Sequence, residues 1–225
     1  MVAERKSSMS LELFCLKYAE TFLPKSMIFD NDGDSVKLPI TLAIYLIKTG
    51  DRNILVDAGC DTMPGFIMKK RYSPAFVVRC ADVSPDDITD VIITHSHHDH
   101  IEALSHFRNA SVCITKNEFE NGKFYIPKDL KVNLFDGEFL LTPQIKIIEI
   151  GGHSKGSAIV EIKADDITHV LVGDECYTNA NIDKKICTGV YTNHEKTMAF
   201  IEKYSSKKYL EHTCHDNSLK TDRII

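Results

Sequence analysis

No apolar run in the 225 residues approaches the roughly 20 needed to cross a bilayer, and none stands behind the charged opening Met1-Val-Ala-Glu-Arg-Lys. The sequence therefore predicts neither a membrane span nor a secretory signal. Basic residues are not in excess: 27 Lys and Arg face 32 Asp and Glu, a net charge of -5 with histidine neutral. Phosphate backbones are held by clustered cations, so the expected partner is a small-molecule substrate, with neither nucleic acid nor membrane. No CxxC pair occurs, and the seven cysteines, an odd number, make no disulfide framework. They read as reduced thiols of a cytoplasmic protein. No Pro/Ser/Gly linker, repeat or low-complexity stretch divides the chain. One domain over residues 1–225 is expected, with 43% hydrophobic residues to build its core. Composition leaves the oligomeric state open, a homodimer included.

What the chain does have is a series of short apolar runs separated by turns. Residues 11–16 alternate as an edge strand does. Residues 40–47 form a near-continuous apolar run, and after the turn Lys48-Thr-Gly-Asp-Arg a second run covers 53–57, which predicts a hairpin. Further strands are expected at 89–94, 111–115, 145–150, 157–162, 168–173 and 207–211. Helices are expected over 61–70, 100–107, 116–120 and 194–204, the last capped by Asn193. Two runs of strands with helices interspersed predict a layered α/β protein with two central sheets.

The chemistry gathers where the 89–94 strand ends. His95, His97, Asp99 and His100 fall within six residues. On a tight loop, side chains at i and i+2 can converge, so His95 and His97 can grip one metal while Asp99 and His100 face a second. Imidazole and carboxylate suit a borderline divalent ion such as Zn²⁺, and two such ions about 3.5–4 Å apart can share a hydroxide. Two more apolar runs end in candidate ligands, His153 after a glycine pair and Asp174 after a glycine. A strand-end Asp is as readily a turn former; both gain weight from a chain that already holds a metal nucleus. Asp57, at the end of its own strand, either shapes the turn with Gly59 or orients a ligand histidine from behind.

In this order, VDAG at 56–59, THSHHDH at 94–100, GGHSKGS at 151–157, GD at 173–174 and CHD at 214–216 resemble the motifs of the metallo-β-lactamase superfamily. The resemblance implies a four-layer αβ/βα sandwich of two mixed β-sheets flanked by helices, with metals at one edge of the paired sheets. It implies a first metal on His95, His97 and His153, a second on Asp99, His100 and His215, and Asp174 bridging both. His215 is preferred to His212 because CHD looks like the family's last motif. The implied cofactors are two divalent metal ions, Zn²⁺ first, with Fe or Mn as alternatives. His98, His106, His169 and His194 match no ligand position and read as surface or packing residues. Cys176 and Cys214, beside the implied ligands, read as buried structural thiols.

Within the superfamily, the sequence is most similar to the N-acyl-homoserine-lactone lactonases. Residues 16–27 resemble their first strand and loop, and both metal sites are complete. Tyr177 stands three residues after Asp174, where those lactonases aim a tyrosine hydroxyl at the substrate carbonyl. Two stretches depart from the family pattern: Ile101-Glu-Ala-Leu replaces small residues and Gly, and GGHSKGS replaces the commoner PGHTPGH. The implied reaction is hydrolysis of a lactone or ester carbonyl by a metal-bridging hydroxide, N-acyl-homoserine lactone among the candidates, with Asp99 and Tyr177 catalytic. Residues 61–76 are expected to form a lid whose Met63, Phe66, Ile67, Met68, Tyr72 and Phe76 either line an acyl pocket or simply pack. Two alternatives share the fold: thioester hydrolysis of the glyoxalase II kind, and a mononuclear iron sulfur dioxygenase. The flavin-linked di-iron branch has Glu where this chain has His97. A metal-binding or sensing module without catalysis is the non-enzyme alternative.

Overall fold

The computed structural model describes residues 11–30, 33–34, 36–164 and 166–225. These form the strands β1 (Leu11–Pro24), β2 (Lys37–Thr49), β3 (Arg52–Val56), β4 (Asp90–Ile92), β5 (Ser111–Thr115), β6 (Lys131–Phe135), β7 (Glu138–Thr142), β8 (Ile145–Glu149), β9 (Ala158–Ala164), β10 (Ile167–Leu171), β11 (Tyr209–His212) and β12 (Asp222–Arg223). The helices are α1 (Lys25–Ile28), α2 (Pro74–Cys80), α3 (His98–Ile101), α4 (Lys116–Gly122), α5 (Asn179–Lys184) and α6 (His194–Tyr204). A seven-stranded sheet has the order β12-β1-β2-β3-β4-β5-β6, and a five-stranded sheet the order β11-β10-β9-β8-β7. Both are mixed. Strands β3 to β6 run parallel beside the antiparallel β1–β2 and β2–β3 pairs. In the smaller sheet β10 pairs in parallel with β11 and antiparallel with β9. The chain crosses between sheets at Asp136-Gly137, where Gly137 has φ 69°, a left-handed conformation open to a residue without Cβ.

The apolar run at 40–47 accounts for the layering. Successive side chains of a strand point to opposite faces, so an uninterrupted run must be covered on both. Leu42, Ile44 and Leu46 pack with Val77 and Val78 of α2 and with Leu104. Ala43, Tyr45 and Ile47 face the other sheet, where they meet Ile145, Ile147, Val160 and Leu171. On the far side of that sheet, Ile148, Ile159 and Val170 lie under Phe200, Ile201 and Tyr204 of α6. Two mixed sheets sandwiched between helices, an αβ/βα arrangement, result. The start of α6 is as the sequence predicts: the Asn193 side chain accepts the Lys196 N–H.

Two expectations are corrected. Residues 61–70 form no helix. Pro64 has no N–H to give and Gly65 sits at φ 85°, and Lys69 instead exchanges two backbone hydrogen bonds with Glu20 of β1. The helix falls at α2, where Ser73 caps and Pro74 takes the first position. The run at 100–107 is not one helix either; α3 ends at Ile101 and a 3₁₀ turn covers Glu102–His106. Strands β6, β7 and β12 had no sequence expectation. No helix among the described residues is long and apolar enough to cross a membrane. All seven cysteines are free thiols.

Candidate active site

Because β3, β4 and β5 run parallel, the loops that leave their C-terminal ends open on one edge of the large sheet. Asp57 follows β3, and the His95–His100 loop follows β4. The smaller sheet delivers its residues to the same edge: His153 from the β8–β9 turn, Asp174 just past β10, and His215 just past β11. A backbone hydrogen bond from Ala158 N–H to the Thr94 carbonyl, 2.8 Å, ties the two sheets there.

Two groups of side chains converge and share one carboxylate. His95, His97 and His153 meet Asp174 in one group; His100, His215 and Cys214 meet it in the other. In the first, His97 Nδ1 lies 2.9 Å from His95 Nε2 and 3.0 Å from His153 Nε2. Asp174 Oδ2 is 3.5 Å from His95 Nε2 and 3.4 Å from His153 Nε2. In the second, Asp174 Oδ1 is 3.2 Å from His100 Nε2 and 3.1 Å from His215 Nε2. Asp99 Oδ2 closes that side, 3.6 Å from His215 Nε2 and 3.8 Å from His100 Nε2. Each oxygen of Asp174 thus faces its own cluster.

The outward nitrogens of four of the five rings are occupied by acceptors. His100 Nδ1 donates to Asp57 Oδ2 at 2.7 Å, His215 Nδ1 to the Thr41 carbonyl at 2.9 Å, and His153 Nδ1 to the Val190 carbonyl at 2.8 Å. His95 Nδ1 lies 3.2 Å from the Thr94 hydroxyl, which itself donates to Asp57 Oδ2. A neutral imidazole has one N–H, so each of these four rings, once neutral, presents a lone pair on its inward nitrogen. Converging lone pairs repel unless a cation lies between them, and imidazole with carboxylate is the donor set of Zn²⁺ and its neighbours. Consistently, His100 Nε2 is buried without an aligned hydrogen-bond partner. Burial pushes His95 and His153 below the ordinary imidazole range, which keeps them neutral. Burial pushes His100 down as well, but Asp174, Asp57 and Asp99 together outweigh it and leave it well above that range. The residues fit metal ions.

Sequence reasoning missed two carboxylates that hold this edge together. Glu118 of α4 is buried and accepts four hydrogen bonds: from the backbone and hydroxyl of Ser96, the hydroxyl of Ser154, and Gly156 N–H. It joins the histidine loop to the His153 loop. Burial raises its pKa, but those donors outweigh burial and hold it below the usual range. Glu175 accepts from the backbones of Gly152 and His153 and from Ser157 and Thr197. GGHSKGS serves these two residues. A Cβ on Gly152 would collide with Glu175 and Thr197, and one on Gly156 with Thr115 and Asn117. The available sequence signals were faint: a Glu three residues after Thr115, and a second acid beside Asp174.

Beside the clusters lies a cavity of about 250 Å³ that Asp99, His97, Asp174, His215 and Tyr177 reach from below. Its upper wall is apolar: Leu23, Met27, Met63, Pro64, Phe66 and Val190. The Tyr177 ring stands against His153 and His215, with centroids 5.8 and 5.3 Å away. Burial first, then Asp174 and Asp99, push its hydroxyl well above the ordinary phenol range, so it stays protonated. Of the six expected pocket residues, Met63 and Phe66 line this cavity. Ile67 is 77% exposed, Met68 packs against the core, and Tyr72 stacks on Phe76 with both rings exposed. His98, read from sequence as a surface or packing residue, also lines the cavity, between the Tyr125 hydroxyl and the Thr62 carbonyl at 2.8 Å each. His106 pairs with Asp61, His194 faces Asp30, and His169 stacks on His212 away from the clusters. Cys176 packs in the core under α6. Cys214 packs in the core between the sheets, and its sulfur also lies 3.4 Å from Asp174 Oδ1.

The family model described as the metallo-beta-lactamase superfamily matches residues 43–208. The N-acyl homoserine lactonase AiiB of Agrobacterium fabrum is 22% identical, over 90% of this chain and 92% of its own. A solved N-acyl homoserine lactone hydrolase, with N-hexanoyl-L-homoserine bound at its catalytic metal center, superposes with a TM-score of 0.81 at 20% identity. That match covers 92% of this chain and 93% of that one. AidC, a dizinc quorum-quenching lactonase, superposes with a TM-score of 0.73 at 18% identity, over 96% and 90% of the two chains. The match covers most of the chain and contains every strand-end residue above except His215, and on that ground the chain belongs to the metallo-beta-lactamase superfamily.

Proposed function

We propose that this metal-dependent hydrolase uses two divalent cations, Zn²⁺ first among them, to open a lactone or ester carbonyl in a small molecule carrying an acyl chain. The observation that carries the reading is the shared Asp174, whose two oxygens face two separate histidine clusters at the floor of an apolar cavity. His95, His97 and His153 would hold one cation, Asp99, His100 and His215 the other, and Asp174 both. Bound there, the cations supply Lewis acidity that polarises a carbonyl and acidifies water.

The chain's own residues set the rest. Tyr177 keeps its proton and offers the hydroxyl to the carbonyl oxygen, where charge develops during attack. Asp99, at the cavity floor beside His215 and His100, orients the attacking water and carries its proton to the departing alkoxide. Asp57 and the Thr41 and Val190 carbonyls hold the ligand rings in one tautomer. Leu23, Met27, Met63, Phe66 and Val190 exclude water and receive the apolar chain. A volume of about 250 Å³ is small beside the roughly 300–1,000 Å³ of common ligand pockets, which suits a short acyl group. The relatives named lactonases and the neighbour holding an acyl-homoserine product support N-acyl-homoserine lactones as the first substrates to try.

The test is a panel run on zinc-loaded protein after metal quantification: N-acyl-homoserine lactones of graded length, simple lactones, aryl esters and thioesters, followed by proton release. Ring opening of a lactone above the thioester rate supports the reading. Preference for thioesters, or oxygen uptake with an iron-loaded sample, would replace it.

A further inference from the structure

Asp174 is a buried carboxylate that has few donors once the histidines around it are neutral ligands. His100 and His215 approach its Oδ1 most closely, but their N–H groups are given to Asp57 and to the Thr41 carbonyl. As neutral ligands they have no proton left for Asp174. Among the described residues, the donor that remains to Asp174 is Cys214, whose Sγ donates to Oδ1 at 3.4 Å and also lies 3.6 Å from the Gly173 carbonyl. Cys214 is buried in the core between the sheets, together with Leu171 and Val56, so packing fixes the direction of the thiol.

We propose that Cys214 is a positioning residue for the bridging carboxylate, its S–H pinning Asp174 Oδ1 toward His100 and His215 and so leaving Oδ2 to His95 and His153. The inference rests on the two-cation reading above. A carboxylate free to rotate about its Cβ–Cγ bond could present both oxygens to one cluster; a donor on one oxygen removes that freedom. A thiol suits the task because it is a weak donor and withdraws little electron density from an oxygen that must also bind a cation. The buried unpartnered Nε2 of His100 marks the side that benefits.

Cobalt titration of the full chain, read by visible absorption and by chelator competition, tests the inference with three variants. Cys214→Ala should lower affinity for the second cation equivalent roughly 10- to 100-fold, the usual effect of losing a group that orients a ligand, and leave the first equivalent near its original affinity. Cys214→Ser, which keeps a donor, should recover most of the loss. Cys113→Ala removes another buried thiol from the same inter-sheet core, outside the ligand clusters, and should leave both affinities unchanged. Two-cation binding by Cys214→Ala as tight as the original would overturn the inference. So would an equal loss in Cys113→Ala, which would make the effect one of packing. A sulfur-to-cobalt charge-transfer band in the near ultraviolet, lost in Cys214→Ala, would show a thiolate ligand instead of a donor and overturn it as well. A parent chain that takes one cation only would bring down the two-cation reading and this inference together, a result distinct from the others.

Discussion

His100 Nδ1 lies 2.7 Å from Asp57 Oδ2, and Asp57 reaches it from a left-handed backbone, φ 63°. The same carboxylate accepts Thr94 N–H at 2.8 Å and the Thr94 hydroxyl at 2.9 Å. One strained residue past β3 thus sets the tautomer of a candidate ligand and anchors the start of the histidine loop. Asp57→Ala should weaken metal binding roughly 10- to 100-fold. It should also cost about 1–3 kcal/mol of stability for the buried donor left unpaired. Metal quantification and urea unfolding measure the two effects. Unchanged metal affinity would reduce Asp57 to a turn former.

His97 and Tyr177 separate metal binding from chemistry. His97→Ala removes the nitrogen nearest to both His95 and His153, so bound metal and turnover should fall together. Tyr177→Phe keeps the ring against His153 and His215 and should retain metal while kcat drops on the order of 10²-fold. Turnover surviving in metal-free His97→Ala protein would end the hydrolytic mechanism.

Metal uptake should release protons. Carboxylates hold His100 above the ordinary imidazole range despite burial, and Cys214 and Asp174 do the same for His215. A raised folded-state pKa stabilises the metal-free fold fully below about pH 6.5, the unfolded value, and that contribution fades as pH rises through the folded value. Metal affinity should run the opposite way and strengthen with rising pH, since a bound ring must lose its proton. Mixing zinc with metal-free protein in weak buffer and an indicator dye reads the release. No acidification at neutral pH would mean that these rings are already neutral.

Glu118 gives an acid limb to stability. Its folded pKa is held below the ordinary carboxylate value by donors from Ser96, Ser154 and Gly156. Its contribution is therefore present above about pH 4.3, the unfolded value, and lost as pH falls through the folded one. Glu118→Gln should lower stability at neutral pH by about 1–3 kcal/mol, because an amide N–H then faces donors. It should also flatten the fall in unfolding midpoint below pH 5. A mutant with the same acid limb as the parent would locate that limb elsewhere.

His98 ties the histidine loop to the cavity rim through the Thr62 carbonyl and Tyr125. His98→Ala should leave metal content unchanged and raise KM more for long acyl chains than for short ones, since the tethered loop carries Met63 and Phe66. Phe66→Ala should act in the same direction. Equal effects on all chain lengths would show that this wall does not read the acyl group.

Part of this architecture is legible in the order of the amino acids. The run at 40–47 requires a strand covered on both faces, and Asn193 marks the start of α6. The spacing of His95, His97, Asp99 and His100 points to a paired metal site because ligands that close in sequence stay close in space whatever the fold. Local chemistry also misleads: the apolar spacing of 61–70 suits a helix, yet Pro64 and Gly65 break it and β1 captures Lys69 as a partner.

Sequence by itself determined the strand periods, the local histidine nucleus and the acidic charge balance, all of which follow from neighbours along the chain. Only the tertiary structure decided that His153, Asp174 and His215 meet that nucleus, that Glu118 joins two loops, and that Cys214 lies against Asp174 instead of merely filling the core. Those encounters depend on which strands pair, in what register and on which edge they end. Such pairings are chosen by burial over the whole molecule and by no stretch of residues alone.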